Sequence, residues 1–220
     1  MNTASLSLRL NSASLDQLAS SGLILIDDAL SHSELGGLRL EAQNQLVSFR
    51  AAQVHSGVQP LFRSDRIEWI TQHQPNGAKF VDQLMKLAVV FNQAFYSGVR
   101  RIEAHYAHYP SGSFYAAHLD NPHSQSNRVF SCVYYLHEHW EAGFGGELEI
   151  EINEPLKMPD MKGCELTELT EPTEQYGYSH LRIHPLPGRL VIFDSRLSHS
   201  VLLSHFDRLS IAAWMRSDDE

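Results

Sequence analysis

The feature that most narrows the possible folds is a change of periodicity near Arg100. Before it, apolar residues recur at helical spacing, with Leu35, Leu38, Ala42, Leu46 and Phe49 in one stretch and Phe80, Leu84, Leu87, Phe91 and Phe95 in another. Residues three and four apart share one face of an α-helix, so each set describes a helix with a buried stripe. After Arg100, short runs rich in Val, Ile, Tyr and Phe alternate with turn residues, over 102–109, 129–136, 148–152, 190–193 and 209–214. Helices followed by consecutive strands predict a mainly β, α+β chain: a sandwich or barrel supported on one face by helices, not a parallel sheet with crossovers.

Local signals refine this. Ser14 and Gln17 have capping-box spacing and Gly22 can close a helix, so a short helix is expected over 14–21 and a strand over 23–27. Ser31 and Glu34 repeat the spacing ahead of a second helix over 32–49. A third begins after Asn76 and Gly77 and stops at Gly98. Residues 50–64 read as a loop or hairpin, and 153–178, bearing prolines and acids, as a long insert between strands. The 220 residues are expected to form a single domain, with helical support and a lid region over 1–99 and the β core over 100–216.

Charge excludes some partners. There are 17 Lys and Arg against 26 Asp and Glu, a formal net charge of -9, which repels a phosphate backbone or an anionic membrane. The longest apolar runs, such as Leu23–Ile26, are far too short for a bilayer, and the first ten residues lack the apolar core of a signal peptide. Cys132 and Cys164 are too few for a disulfide framework or a four-thiolate zinc site. The expectation is a cytoplasmic chain with two free thiols, binding neither nucleic acid nor membrane.

Thirteen histidines stand out instead. His118 and Asp120 follow a strand-like run, and the period-two alternation of a strand points both to one face while Leu119 points away. Alone, His-x-Asp is a weak signal. It gains weight from a later turn and strand, Gly188–Asp194, followed by His199 and then Arg208. Two imidazoles and one carboxylate on one face of iron(II) leave adjacent positions open for a 2-oxo acid and dioxygen. A guanidinium in an apolar barrel would be a costly unpaired charge, but its donor fork matches the far carboxylate of 2-oxoglutarate.

These residues, with Arg63–Ile70, Tyr109-Pro110, Tyr115, His118–Asn121, Cys132–Leu136, Trp140, Gly145–Leu148, Gly188–Leu190, His199, Arg208 and Trp214, resemble the 2-oxoglutarate and iron(II)-dependent dioxygenases. Within that family the chain is similar to prolyl hydroxylases of the oxygen-sensing type and their bacterial relatives. The resemblance implies a double-stranded β-helix, or jelly-roll, core supported by N-terminal helices. It also implies hydroxylation of a prolyl residue coupled to oxidation of 2-oxoglutarate to succinate and carbon dioxide, with ascorbate as a possible reductant.

Carried over residue by residue, His118, Asp120 and His199 look like the metal ligands, and Arg208 with the Tyr135 hydroxyl like the clamp on 2-oxoglutarate. Tyr109 is expected near the chelating end, Tyr115 in the pocket wall and Trp214 beside the cosubstrate. Asp65 and Arg128 match a salt bridge that holds the preceding loop, so 50–64 is a candidate substrate lid. The chain departs from the pattern at Ala212, where a hydroxyl-bearing residue is usual, at His137, where asparagine is usual, and in its longer insert. The partner implied is a proline-containing protein or peptide, with translation factors and ribosomal proteins as candidates, since similar proteins act on them. Alternatives are the same chemistry on a free amino acid or small metabolite, or a non-catalytic metal-binding jelly roll.

Overall fold

The computed structural model describes residues 6–53, 57, 59–124, 126–152, 162–168 and 179–219. The first helix, α1 (Ser12–Ser21), starts two residues earlier than expected because Asn11, not Ser14, is its cap and accepts the Ser14 N–H at 2.9 Å. Gly22, in the left-handed region at φ 71°, closes it and leads directly into strand β1 (Leu23–Ile26). Helix α2 (His32–Asn44) carries the Ser31/Glu34 capping box, but ends before residue 49. Turn hydrogen bonds from Ser48 and Phe49 then carry the buried Phe49 inward without continuing the helix.

Two short strands follow, β2 (Arg50–Ala51) and β3 (Arg66–Trp69), and then helix α3 (Pro75–Phe95). Proline at its first turn needs no amide partner. The next two amides, of Asn76 and Gly77, are accepted at 2.9 and 2.8 Å by the carboxylate of Glu41 in α2, which also takes the Tyr106 hydroxyl at 2.6 Å. One helix thus caps the other and fixes their crossing. The stop comes at Tyr96, in the left-handed region at φ 52°, two residues before the expected Gly98.

The remaining strands are β4 (Arg101–Tyr109), β5 (Tyr115–His118), β6 (Arg128–Tyr135), β7 (Leu148–Ile152), β8 (Cys164–Glu168), β9 (Ser179–Ile183), β10 (Leu190–Asp194), β11 (His199–Val201) and β12 (Arg208–Arg216). They form two antiparallel sheets, a larger one ordered β1-β10-β6-β12-β4-β3-β2 and a smaller one ordered β5-β11-β7-β9-β8. This is the expected jelly-roll arrangement. The region before residue 100 is more than support, since it adds three strands to the larger sheet. The expected insert is also partly sheet: β8 pairs with β9 across residues 164–168, while 153–161 and 169–178 lie outside the described residues.

Period-two alternation divides the core. Phe130, Cys132 and Tyr134 of β6, Leu190 and Ile192 of β10, and Ile211, Ala213 and Met215 of β12 face the helices. There Phe80, Leu84, Leu87 and Phe91 of α3 are buried, each worth about 1.5–3 kcal/mol, with Phe80 stacked on Tyr134 at 5.0 Å. The other parity of β6 and β10, including Tyr135, Val191 and Phe193, meets Leu148, Ile150, Leu181 and Ile183 of the smaller sheet. Among the described residues no helix is long and apolar enough to cross a membrane.

Candidate active site

The register of β5 and β11 sets His118 directly opposite His199. Their rings lie 4.2 Å apart, and Asp120, just beyond β5, completes a group whose three ligand atoms all lie within 4.8 Å of one another. Each imidazole is oriented from its far side. His118 Nδ1 lies 2.9 Å from the carbonyl of Ala116 and His199 Nδ1 lies 3.0 Å from that of Leu197. Donation from Nδ1 leaves Nε2 with the free lone pair, the arrangement a metal-bound imidazole needs. Both Nε2 atoms face Asp120, at 3.8 Å from Oδ1 for His118 and 3.4 Å from Oδ2 for His199.

Electrostatics suit ligation. Burial, with the neighbouring His199, depresses the His118 pKa to about 3, so its imidazole is neutral at physiological pH. Burial opposes ionisation of Asp120, yet the two imidazoles and a 2.6 Å hydrogen bond from Ser131 hold its carboxyl below the usual range. Imidazole nitrogens and an ionised carboxylate are the donor set that fits a divalent transition metal such as iron(II). Tyr115 stacks on the His118 ring at 3.7 Å and 16°, restricting its rotation.

The same cavity holds Arg208, 2% exposed, at its other end. Arg208 Nε donates to the Gly146 carbonyl at 2.8 Å and Nη1 to Ser210 Oγ at 3.0 Å. Its guanidinium carbon lies 4.7 Å from the Tyr109 ring centre and 5.1 Å from that of Tyr135. Gly146 is required: at φ 73°, an added Cβ would stand 2.7 Å from Arg208 Cδ and 2.8 Å from Ser204 Oγ. Trp140 holds this turn by donating from Nε1 to the Gly145 carbonyl at 3.1 Å.

The Tyr135 hydroxyl is buried beside Arg208 and makes no hydrogen bond. Burial raises its pKa against the pull of the guanidinium, so it remains a protonated donor. A buried donor without a partner is costly, and a cation beside it makes an anionic acceptor the natural occupant. The far carboxylate of 2-oxoglutarate has that chemistry. Val133, Leu148, Phe193 and Val201 supply the apolar wall between the two ends.

Not every expected role falls where anticipated. The pair expected between Asp65 and Arg128 is replaced by two others. The nearly fully buried Asp65 is held in a bidentate pair by Arg63, at 2.6 and 2.9 Å. Arg128 turns instead to Glu103 at 2.8 Å and to Asp120 at 3.5 Å, stacked on Trp214 at 3.7 Å. The reason is reach. Arg63 is only two residues from Asp65 in the chain, whereas Arg128, at the start of β6 opposite Arg216 at the end of β12, has Glu103, Asp120 and the Trp214 ring around it. Tyr109, expected at the chelating end, lays its ring against Arg208. Where Ala212 lacks a hydroxyl, Ser210 supplies one, to the guanidinium itself. Trp214 and Tyr115 both line the cavity.

Of the candidate lid, residues 54–56 and 58 lie outside the described set. Residues 62–64 are hydrogen-bonded to 114–116, with the Ala116 amide donating to the Phe62 carbonyl and the Ser64 amide to that of Phe114. Arg63 also lies over the Tyr115 ring at 4.4 Å and lines the mouth. Outside the mouth is a cleft of about 410 Å³, lined by Phe62, Trp69, Leu119, Pro122 and Trp214 with Arg63 and Arg128 at its sides. Sequence reasoning missed the roles of Arg63, Ser131 and Ser210, the place of the buried His105 in the cavity wall and the need for Gly146. For Ser131 and Ser210 a signal existed, since each shares strand parity with Tyr135 or Arg208.

Comparison with known proteins agrees with this geometry. Residues 104–216 match the 2OG-Fe(II) oxygenase superfamily. The chain is 28% identical over 170 residues to the prolyl hydroxylase EGLN3 of Mus musculus, a match covering 72% of this chain and 60% of that relative. A prolyl-4-hydroxylase from Pseudomonas putida superposes with a TM-score of 0.75 at 26% identity, over 97% of this chain and 99% of the other. The prolyl hydroxylase of Trichoplax adhaerens, solved with a hypoxia inducible factor peptide, shares the fold with a TM-score of 0.75 at 23% identity, over 96% and 89% of the two chains.

Proposed function

The chain belongs to the 2OG-Fe(II) oxygenase superfamily, and on that premise we propose that it hydroxylates a prolyl residue of a protein or peptide, releasing succinate and carbon dioxide. The observation that carries the reading is one cavity with a two-histidine, one-carboxylate group at one end and a buried arginine beside an orphaned tyrosine hydroxyl at the other. The prolyl substrate is supported by the prolyl hydroxylases to which the chain is similar, above all the Pseudomonas putida enzyme matched over its whole length.

His118, Asp120 and His199 would hold iron(II). When bound, the metal supplies the redox chemistry by which dioxygen and 2-oxoglutarate yield succinate, carbon dioxide and a hydroxylated substrate. The chain's own part is positioning. Arg208 and the Tyr135 hydroxyl grip the far carboxylate and set which end of the 2-oxo acid faces the triad. The apolar wall keeps water from competing for that end. At the mouth, the Arg63–Asp65 pair and the Tyr115 ring fix the near edge of the cleft, whose aromatic and apolar sides suit a proline ring and whose arginines can donate to peptide carbonyls.

Translation factors and ribosomal proteins are the substrates to test first, in a cytosolic setting with ascorbate as reductant. The site reading is tested by titrating metal-free protein anaerobically with iron(II) and then 2-oxoglutarate. A saturable charge-transfer band is expected, and tight iron binding without any band would sink the cosubstrate assignment. Incubation with proline-containing proteins and with free amino acids, followed by mass measurement, then identifies which gains an oxygen. Oxygen gained only by free amino acids would replace the protein substrate.

A further inference from the structure

Behind the triad lies a polar chain of which only the last bond, from Ser131 to Asp120, has a role above. Ser131 Oγ is 2.6 Å from Asp120 Oδ2 and 2.9 Å from Ser195 Oγ, and the exposures of Asp120, Ser131 and Ser195 are 9%, 2% and 0%. We propose that Ser195 and Ser131 form a two-hydroxyl relay that orients the Asp120 carboxylate and thereby sets how tightly the triad holds a divalent cation. The inference rests on the metal reading of the triad.

The direction of both protons follows from bonding capacity. A ligating carboxylate is ionised and can only accept, so Ser131 must donate to it. A hydroxyl has one proton, so the contact with Ser195 requires Ser195 to donate and Ser131 to accept. Each hydroxyl polarises the next, which strengthens the bond reaching the carboxylate. Asp120 Oδ1 is left to face His118 Nε2 and, at 3.5 Å, Arg128 Nη1, while Oδ2 carries the short hydrogen bond. A carboxylate so held cannot rotate freely about its last bond.

The relay also joins the segments that carry the ligands. Asp120 follows β5, Ser131 lies on β6 of the larger sheet, and Ser195 sits in the turn between β10 and β11 that presents His199. Two backbone bonds run alongside: the Asn121 amide donates to the Ser195 carbonyl at 2.9 Å, and the Ser195 amide to that of Val129 at 3.1 Å. The turn is therefore anchored without the hydroxyls, so their removal should disturb the carboxylate more than the fold. Ser131 and Ser195 are positioning residues, acting through Asp120.

The test uses cobalt(II) alone as probe, added anaerobically to the metal-free full chain, with affinity and visible ligand-field spectrum recorded. Ser131→Ala should weaken cobalt binding by about tenfold to a hundredfold and alter the spectrum, and Ser131→Thr should restore both. Ser195→Ala should have a smaller effect, and the double variant should bind no more weakly than Ser131→Ala, because the second hydroxyl works through the first. Melting of the metal-free variants within a few degrees of wild type would separate this from loss of fold. If Ser131→Ala binds cobalt as wild type does, or only the 2-oxoglutarate requirement rises, or the two serine effects add, the relay is wrong. If the wild-type chain binds no cation, the metal reading falls first and the relay with it.

Discussion

The two ends of the cavity are held in place by different means. At the triad end, each imidazole is oriented by a carbonyl two residues back in its own chain, and the three ligands gather from the facing ends of two paired strands and the residues just after β5. At the Arg208 end, the guanidinium is steadied by Ser210 two residues on in its own strand, but chiefly from across the fold, by the Gly146 carbonyl and the rings of Tyr109 and Tyr135. The first end is a set of local arrangements that a cation would bind together. The second is preorganised by the packed sheets before any ligand arrives, at the cost of an orphaned hydroxyl. Cation binding should therefore be sensitive to single ligand changes and to chelation, and cosubstrate binding to packing.

The largest effect is expected at the triad. His199→Ala should lose cation retention and reduce succinate formation by at least about a thousandfold, since removing a ligand removes the chemistry the cation supplies. Turnover near the wild-type rate would overturn the ligand assignment. Next, Arg208→Ala should raise the 2-oxoglutarate requirement by about ten- to a hundredfold, the worth of one or two charge-assisted hydrogen bonds. Its cobalt affinity should not change, and a parallel loss would show that the two ends are not independent.

Gly146→Ala sharpens the contrast at the second end. The added Cβ would press on Arg208 Cδ from a left-handed backbone, so a loss of about 1–3 kcal/mol in stability and a weaker 2-oxoglutarate affinity are expected. Urea unfolding with and without 2-oxoglutarate and metal would read both. Chelation should have the converse signature. Removing a cation present at about a hundredfold over its Kd should cost about 2.7 kcal/mol, seen as a lower melting temperature.

The smallest effect concerns two histidines, His105 buried in the cavity wall and the half-buried His137 beside Tyr135. Burial and Arg63 lower His105 to about 4, and burial and Arg208 lower His137 to about 3. Above the unfolded pKa of about 6.5 neither affects stability. As pH falls below it, the unfolded chain takes up protons that the native state refuses, so stability drops until pH about 4 for His105 and about 3 for His137. Unfolding midpoints of metal-free protein should decline from pH 6.5 downward, and less steeply in His105→Gln. A flat profile would mean that His105 titrates normally.

Much of this was legible in residue spacing. The helical stripe of Phe80, Leu84, Leu87 and Phe91, the common face of His118 and Asp120, and the split of Tyr134 from Tyr135 all follow from repeats of 3.6 or two residues, which are properties of the local backbone. Boundaries were less legible, because α1 begins at an extended Asn11, α2 ends at Gln45, and α3 ends at Tyr96 in the left-handed region that glycine was expected to take.

What spacing could not decide is which distant group each polar atom meets. Asp65 had two arginines to choose from, and only the folded chain shows Arg63 taking it while Arg128 goes to Glu103 and Asp120. Ser131 and Ser195 are ordinary serines in the sequence, and Gly146 an ordinary glycine. Their significance arises because two sheets bring β6, the Gly146 turn and the β10–β11 turn against the ligands. Periodicity is set by bonds along the chain and can be read there, whereas hydrogen-bond and ion-pair partners are set by ångström-scale distances through space, which exist only once the sheets have packed.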